Sequence, residues 1–500
     1  MRNSDWMKAV WVRISLLSLV LACLAGCATE PSALTGKTTS FGYTWRQELA
    51  LGKQSDGQIV EQMGLYQNDA LAEYVREIGE KVLAKSDLRG PDALEMYRDT
   101  EFTFRVLDSD VVNAFALPGG YVYVTRGLLA HLNNEAQLAV VLGHEITHVA
   151  GRHASRQALK QQWGQIGLVA GAVLGEQLME NKQMANDLLN MGGQVFQLMT
   201  LKYGRDAERE SDFYGVQYAE KAGYDAAEGA EFFVSLSRIS SKAGQSIPTW
   251  MSSHPDPGER ELTIRRLSRE WDSEYPGGVL NEERFLDMVD GLAVGTDPRQ
   301  GFVERGTFYH PGLAFQFDVP SGWRVQNQSS AVYALDPGGK GVVVFQLAQE
   351  RDLGQAAQNF ASKNGINVVG TRRMNVDQRN GLVVEGTVQS GDQLMVVQAT
   401  FIEFGERIVS FVGFCPQASY PALKGAFAMT ADSFDSVINK RILGIQPARL
   451  KIVRASDEKQ FREYLPERLP NGMDREDWAI KNQTELDKVI SRGTKLKLPR

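Results

Sequence analysis

The run Ala136-Gln137-Leu138-Ala139-Val140-Val141-Leu142-Gly143 leads without a proline into His144-Glu145-Ile146-Thr147-His148, and this stretch constrains the chain more than any other. Asn133 and Asn134 can cap a helix start, and Glu135 suits the positive first turn. On a helix, positions four apart lie about 40° from each other, so His144 and His148 share a face and can reach one ion. Glu145 stands one step round, in reach of a water on that ion. Two neutral imidazoles suit zinc, whose open position holds a water with a pKa of roughly 7, and a nearby carboxylate can serve as general base. Buried helices do not carry His, Glu, Thr and His together without partners for them.

A zinc ion with two histidines calls for a third protein ligand, commonly a carboxylate from a second helix. Asp206-Ala207-Glu208-Arg209-Glu210-Ser211-Asp212 opens such a helix, running to about Lys221. Spacing alone leaves Glu208/Asp212 and Asp206/Glu210 tied, since both are i,i+4 pairs. The faces differ. Glu208 and Asp212 continue into Gly215, Val216 and Ala219, a small apolar stripe suited to packing on the first helix, whereas the other pair continues into Phe213 and Gln217.

Ahead of the metal helix, Phe102 to Leu107 alternates as a strand. Asn113-Ala114-Phe115-Ala116-Leu117 and Tyr121-Val122-Tyr123-Val124 flank a Pro118-Gly119-Gly120 turn and read as a hairpin. Three further histidines lie near the motif. His131 reads as a surface or cap residue, and His153 as a structural histidine or one supporting a ligand rather than a substrate contact. His254 sits in the proline-stiffened loop Ser252-Ser253-His254-Pro255-Asp256-Pro257 and is balanced between loop residue and active-site residue.

Residues 113–260 resemble the zinc metalloproteases that include the HtpX-type heat-shock proteases, the prenyl-protein protease and the periplasmic BepA-type proteases. The matching pieces are Asn113-Ala114-Phe115-Ala116 with Pro118-Gly119-Gly120, Asn134 to Ala139, the H-E-x-x-H, Arg152-His153, Glu208-x-x-x-Asp212, and His254-Pro255 with Arg260. The resemblance implies one Zn2+ per chain on His144, His148 and Glu208, Glu145 as base, and Asp212 orienting a ligand. It also implies that His254 lies beside the metal. There it either takes the fourth position and shuts the enzyme at rest or donates a hydrogen bond to the oxyanion during catalysis. Asn113, Ala114, Phe115 and Ala116, as an edge strand, would hold extended substrate by strand addition.

The chain has 500 residues, for which roughly three domains is the prior. Its net charge is −7, from 54 basic and 61 acidic side chains, with no long basic run, which argues against nucleic acid as a partner. Residues 1–27 read as an export signal: Arg2, Lys8 and Arg13 precede an apolar core, Ile14 to Ala25, that is too short to span a bilayer. It ends in Leu24-Ala25-Gly26-Cys27, which resembles the lipobox of bacterial lipoproteins and implies lipidation of Cys27. Ala28 then resembles the outer-membrane sorting pattern. Cys23 leaves with the signal, so Cys415 is the remaining unmodified thiol.

These readings predict an α+β multidomain chain. Residues 28–45 are expected to be a tether, 46–270 a mainly helical zincin-like metalloprotease domain, and 271–300 a connector. Within the protease region, the small apolar stretch 159–200 reads as a buried helical hairpin over the site. Residues 301–440 alternate strands with two helical stretches and resemble the PsbP/Mog1-like α/β sandwich. Residues 448–500 resemble a small LysM-like module, which makes peptidoglycan a candidate partner. The function expected is a zinc metalloendopeptidase of the outer membrane, lipid-anchored and facing the periplasm, that cleaves unfolded or misassembled envelope proteins. An envelope chaperone or assembly scaffold with a rarely open metal site is the alternative.

Overall fold

The computed structural model describes residues 28–160, 203–243, 254 and 257–500, apart from 329, 392 and 471. The expected signal with Cys27, and nearly all of the stretch read as a helical hairpin, lie outside these residues. The fold mixes helices with several separate sheets. No helix among the described residues is long and apolar enough to cross a membrane.

The first described segment differs from the tether expected there. Strands β1 (Ala28–Pro31) and β2 (Thr38–Phe41) form an antiparallel hairpin. It is held because Phe41 is buried under the Arg152 guanidinium, 3.7 Å from the ring centre, and Gly42 donates its N–H to the Ser155 carbonyl. Helices α1 (Trp45–Met63) and α2 (Asp69–Leu83) follow, capped by Thr44 and Asn68. Leu71, Tyr74, Val75, Ile78 and Val82 form the buried stripe of α2.

Next come β3 (Thr103–Leu107), β4 (Ala114–Leu117) and β5 (Tyr121–Thr125) in the order β3-β5-β4. The β4–β5 pair is the hairpin read from Pro118-Gly119-Gly120, and both glycines adopt positive φ, 82° and 95°. β4 is therefore an edge strand. Helix α3 (Arg126–His131) leads into α4 (Glu135–Ala150), whose Asn134 cap accepts from the Gln137 N–H at 2.9 Å. His131 is buried rather than exposed, because its Nδ1 bonds the Gly127 carbonyl one turn back at 2.8 Å.

All sixteen residues of α4 are buried. Helices α5 (Arg205–Lys221), α6 (Gly229–Ala243) and α7 (Pro257–Asp272) complete this part, with α5 crossing α4 at Gly143 and Gly215. A Cβ on Gly215 would lie 2.7 Å from the His144 backbone nitrogen, so only glycine permits that approach. Helix α8 (Glu282–Val289) buries Phe285, Leu286 and Val289 in the same core.

Residues 302–436 build a seven-stranded antiparallel sheet and a four-stranded one. The larger runs in the order Arg324–Asn327, Ala331–Leu335, Val342–Leu347, Arg407–Pro416, Gln393–Phe404, Arg379–Ser390 and Asn367–Val376. The two helical stretches are Leu353–Lys363 and Tyr420–Asp432. They pack in separate clusters, Ala356 and Ala357 with Val384 and Phe401, and Phe427 and Ala431 with Phe345 and Phe411.

The tail is not detached. Strand Ala448–Arg454 pairs with Lys495–Pro499 on one side and Ala293–Val294 on the other. Phe461, Trp478, Ala479 and Leu496 belong to the same apolar core as α4 and α8. Lys497 is buried, its ammonium donating to the carbonyls of Ala130 at 3.0 Å, Lys481 at 3.2 Å and Leu132.

Candidate metal centre

Helix α4 presents His144, Glu145 and His148 within one turn, and the glycine crossing brings Glu208 and Asp212 of α5 against them. His254 reaches the same point from the segment before α7. The four groups His144, His148, Glu208 and His254 are buried, and one donor atom from each lies within 4.8 Å of the others. His144 Nε2 is 3.0 Å from His148 Nε2 and 3.2 Å from His254 Nδ1. Glu208 Oε2 lies 3.0 Å from His254 Nδ1 and 3.6 Å from His144 Nε2, and its Oε1 lies 3.6 Å from His148 Nε2. Four ligands at zinc bond lengths of about 2.0–2.2 Å in a tetrahedron stand roughly 3.3–3.6 Å apart, so this donor set fits such an ion.

The surroundings keep His144, His148 and Glu208 in ligand form, whereas at His254 burial is outweighed by the Glu208 and Glu145 carboxylates, which raise its pKa and favour the protonated ring. Burial, with the Arg260 charge beside it, holds His144 down at about 4, and burial likewise drives His148 well below its ordinary value. Both rings are then neutral near pH 7 and can offer lone pairs. Burial opposes ionisation of Asp212, yet Arg260 and His144 outweigh it and bring the acid down to about 2. Asp212 Oδ1 lies 3.1 Å from His144 Nδ1, and Arg260 Nε donates to Asp212 Oδ2 at 2.9 Å. Arg260 Nη1 also sits 3.2 Å from Glu208 Oε2. Burial tends to raise Glu208, but His254 and Arg260 bring it below its usual value.

Glu145 is different. It is fully buried, and among the described residues no hydrogen bond of normal geometry reaches either carboxylate oxygen. Burial pushes it up to about 7, partly offset by His254 at 3.6 Å and by the backbone N–H of Ala116 on the edge strand. A carboxylate poised there suits proton transfer near neutral pH.

The structure thus brings His144, Glu145, His148, Glu208, Asp212 and His254 to one point, with β4 packed beside α4. Asn113 is buried, and neither its amide oxygen nor its nitrogen has a hydrogen-bond partner among the described residues. Two features went unread in the sequence. Tyr203 stacks on the His148 ring at 4.0 Å, and Glu210, set aside as the outward pair with Asp206, bonds His153. No local pattern marks either contact, since both span tens of residues.

A buried pair of histidines and a glutamate around an H-E-x-x-H helix, with a second carboxylate behind, defines a metallopeptidase type of centre. Residues 69–268 match the model of peptidase family M48, which marks this region as an M48 peptidase domain. It is 30% identical over 269 residues to a putative beta-barrel assembly-enhancing protease of Vibrio cholerae, covering 51% of this chain and 52% of that one. It is 28% identical to the mitochondrial metalloendopeptidase OMA1 of Arabidopsis thaliana, covering 46% of each. The beta-barrel assembly-enhancing protease of Escherichia coli K12 is 26% identical over 65% of this chain and 66% of its own. The chain therefore spans about half to two thirds of the length of these curated relatives. Among solved structures, PsbP of Synechocystis aligns at 15% identity and a TM-score of 0.22, covering 26% of this chain and 91% of that one.

Proposed function

We propose that this chain is a zinc-dependent endopeptidase of the bacterial cell envelope. His144, His148 and Glu208 would hold one zinc ion, which when bound supplies Lewis-acid chemistry, acidifying water and polarising a carbonyl. Glu145 takes the proton of the attacking water and delivers it to the leaving amine. Asp212 fixes the His144 ring, and Arg260 holds Asp212 ionised. The observation that carries this reading is the convergence of four buried donor atoms beside the buried Glu145 carboxylate.

Substrate backbone would add to the edge of β4 along Asn113, Ala114, Phe115 and Ala116, a mode that reads extended chain rather than sequence. Such a mode fits unfolded or misassembled envelope proteins as clients. The names of the Vibrio and Escherichia relatives, beta-barrel assembly-enhancing proteases, support that choice. Cys27 would carry the lipid that holds the protein at the outer membrane, facing the periplasm. The 448–500 region remains a candidate peptidoglycan contact.

His254 occupies the fourth vertex of the donor set, so we assign it the plug role: it closes the site at rest and leaves when substrate enters. The same closure favours the second reading, a chaperone or assembly scaffold with a rarely open site. Cleavage of an unfolded envelope protein that stops on chelation and returns with zinc supports the peptidase. Failure of metal-loaded protein to cut any unfolded client favours the scaffold.

A further inference from the structure

We propose that His153, held by Glu210 and Arg156, is a positioning residue that sets the ring and tautomer of His148 for metal binding. The inference rests on the zinc reading above and concerns groups behind the donor set. Histidine ligands need their second ring nitrogen tied down. For His144 a carboxylate does this, Asp212 at 3.1 Å. For His148 the partner is another imidazole: His153 Nδ1 lies 2.8 Å from His148 Nδ1.

Two ring nitrogens at that distance share one proton, which one donates and the other accepts. His148 can offer its Nε2 lone pair to a metal only if its own proton sits on Nδ1. His153 Nδ1 must then be the acceptor, so the His153 proton sits on Nε2. That nitrogen faces Glu210 Oε2 at 2.7 Å, and Arg156 Nη1 donates to the same oxygen at 2.7 Å. Ser211 Oγ lies 3.4 Å from His153 Nδ1, at the limit of hydrogen bonding. Without Glu210 the His153 proton is free to move to Nδ1. The His148 proton is then displaced to Nε2, the atom the metal needs.

The backbone is shaped to make this contact. Helix α4 stops at Ala150, and residues 153–160 start a new helix after a turn at Gly151-Arg152. A Cβ on Gly151 would stand 2.5 Å from His153 Nε2. Arg152 takes φ 53°, in the left-handed region that is strained for a non-glycine residue. Its buried guanidinium bonds Glu48 at 2.7 Å and Glu30 at 2.6 Å, which holds the turn. The turn brings His153 back beneath His148 instead of carrying it round the helix.

The test is zinc affinity of the purified chain, measured by competition with a chromophoric chelator, alongside thermal unfolding of the metal-free protein. His153→Phe fills the ring volume but cannot accept a proton, and should weaken zinc binding about 10- to 100-fold. His153→Asn offers an amide oxygen near the place of Nδ1 and should stay within a few-fold of wild type. Glu210→Ala should behave like His153→Phe. Because Glu210 is 25% exposed, that variant carries the test should the phenylalanine protein not fold. Wild-type affinity in both His153→Phe and Glu210→Ala, or equal loss in His153→Asn and His153→Phe, would overturn the proposal. A wild-type chain that binds no zinc would instead overturn the metal reading beneath it.

Discussion

Gly143 and Gly215 face each other so closely that a Cβ on Gly143 would stand 2.6 Å from the Gly215 carbonyl oxygen. This crossing sets the distance from the helix of the two histidines to the helix of the two carboxylates. An extra methyl must push the helices apart. Gly215→Ala is expected to cost about 1–3 kcal/mol of stability and to lower bound metal. Gly204→Ala, where nothing lies within 4 Å of the added carbon, should stay within about 0.5 kcal/mol. Denaturant unfolding and metal analysis of both proteins check this, and equal effects would mean that the crossing is not the constraint.

Glu208→Ala removes the one carboxylate within the donor set and should lower the metal content of purified protein by about an order of magnitude or more. Asp206, also in the first turn of α5, is exposed and points away, so Asp206→Ala should keep wild-type metal. Loss in both would place the third ligand elsewhere.

Much of this centre was legible because it is local. The Asn134 cap, the four-residue spacing of the histidines, and the glycine in the Glu208–Asp212 stripe are each short-range patterns with one structural solution. The hairpin through Pro118-Gly119-Gly120 was legible for the same reason, since only glycine takes those φ values freely. What failed to show was long-range. Residues 28–41 look polar and tether-like, yet Glu30 and Phe41 are held by Arg152, more than a hundred residues on. Trp478 and Phe461 mark an apolar face in the tail, but nothing local says that the face closes on α8 and α4. His153 was assigned no specific partner because its value depends on a left-handed turn at Arg152, a residue type that does not announce one.

His254→Ala should raise basal cleavage of an unfolded protein substrate while metal is retained, because the fourth vertex is then open to water. A fall of about a hundredfold with metal intact would make His254 an oxyanion donor instead. Unchanged cleavage would remove both roles.

Burial holds His310 down at about 4, and its Nδ1 accepts the Leu313 N–H at 3.1 Å. Its folded pKa lies below its unfolded value of about 6.5, so the unfolded chain takes up the proton first as pH falls. The stability this group contributes is present above about 6.5 and is lost between there and about 4. His310→Asn, which keeps an acceptor but cannot titrate, should flatten the acid limb of the unfolding curve in that window. The same slope in both proteins would contradict this.

The central claim is that Glu145 moves the proton while other residues hold the metal. Glu145→Gln is nearly isosteric and lies beside the donor set without belonging to it. Zinc content, client binding and cleavage of an unfolded envelope protein should be measured together on this variant and on wild type. The account predicts wild-type zinc, retained binding and cleavage reduced to background. Cleavage at the wild-type rate with zinc in place would contradict it.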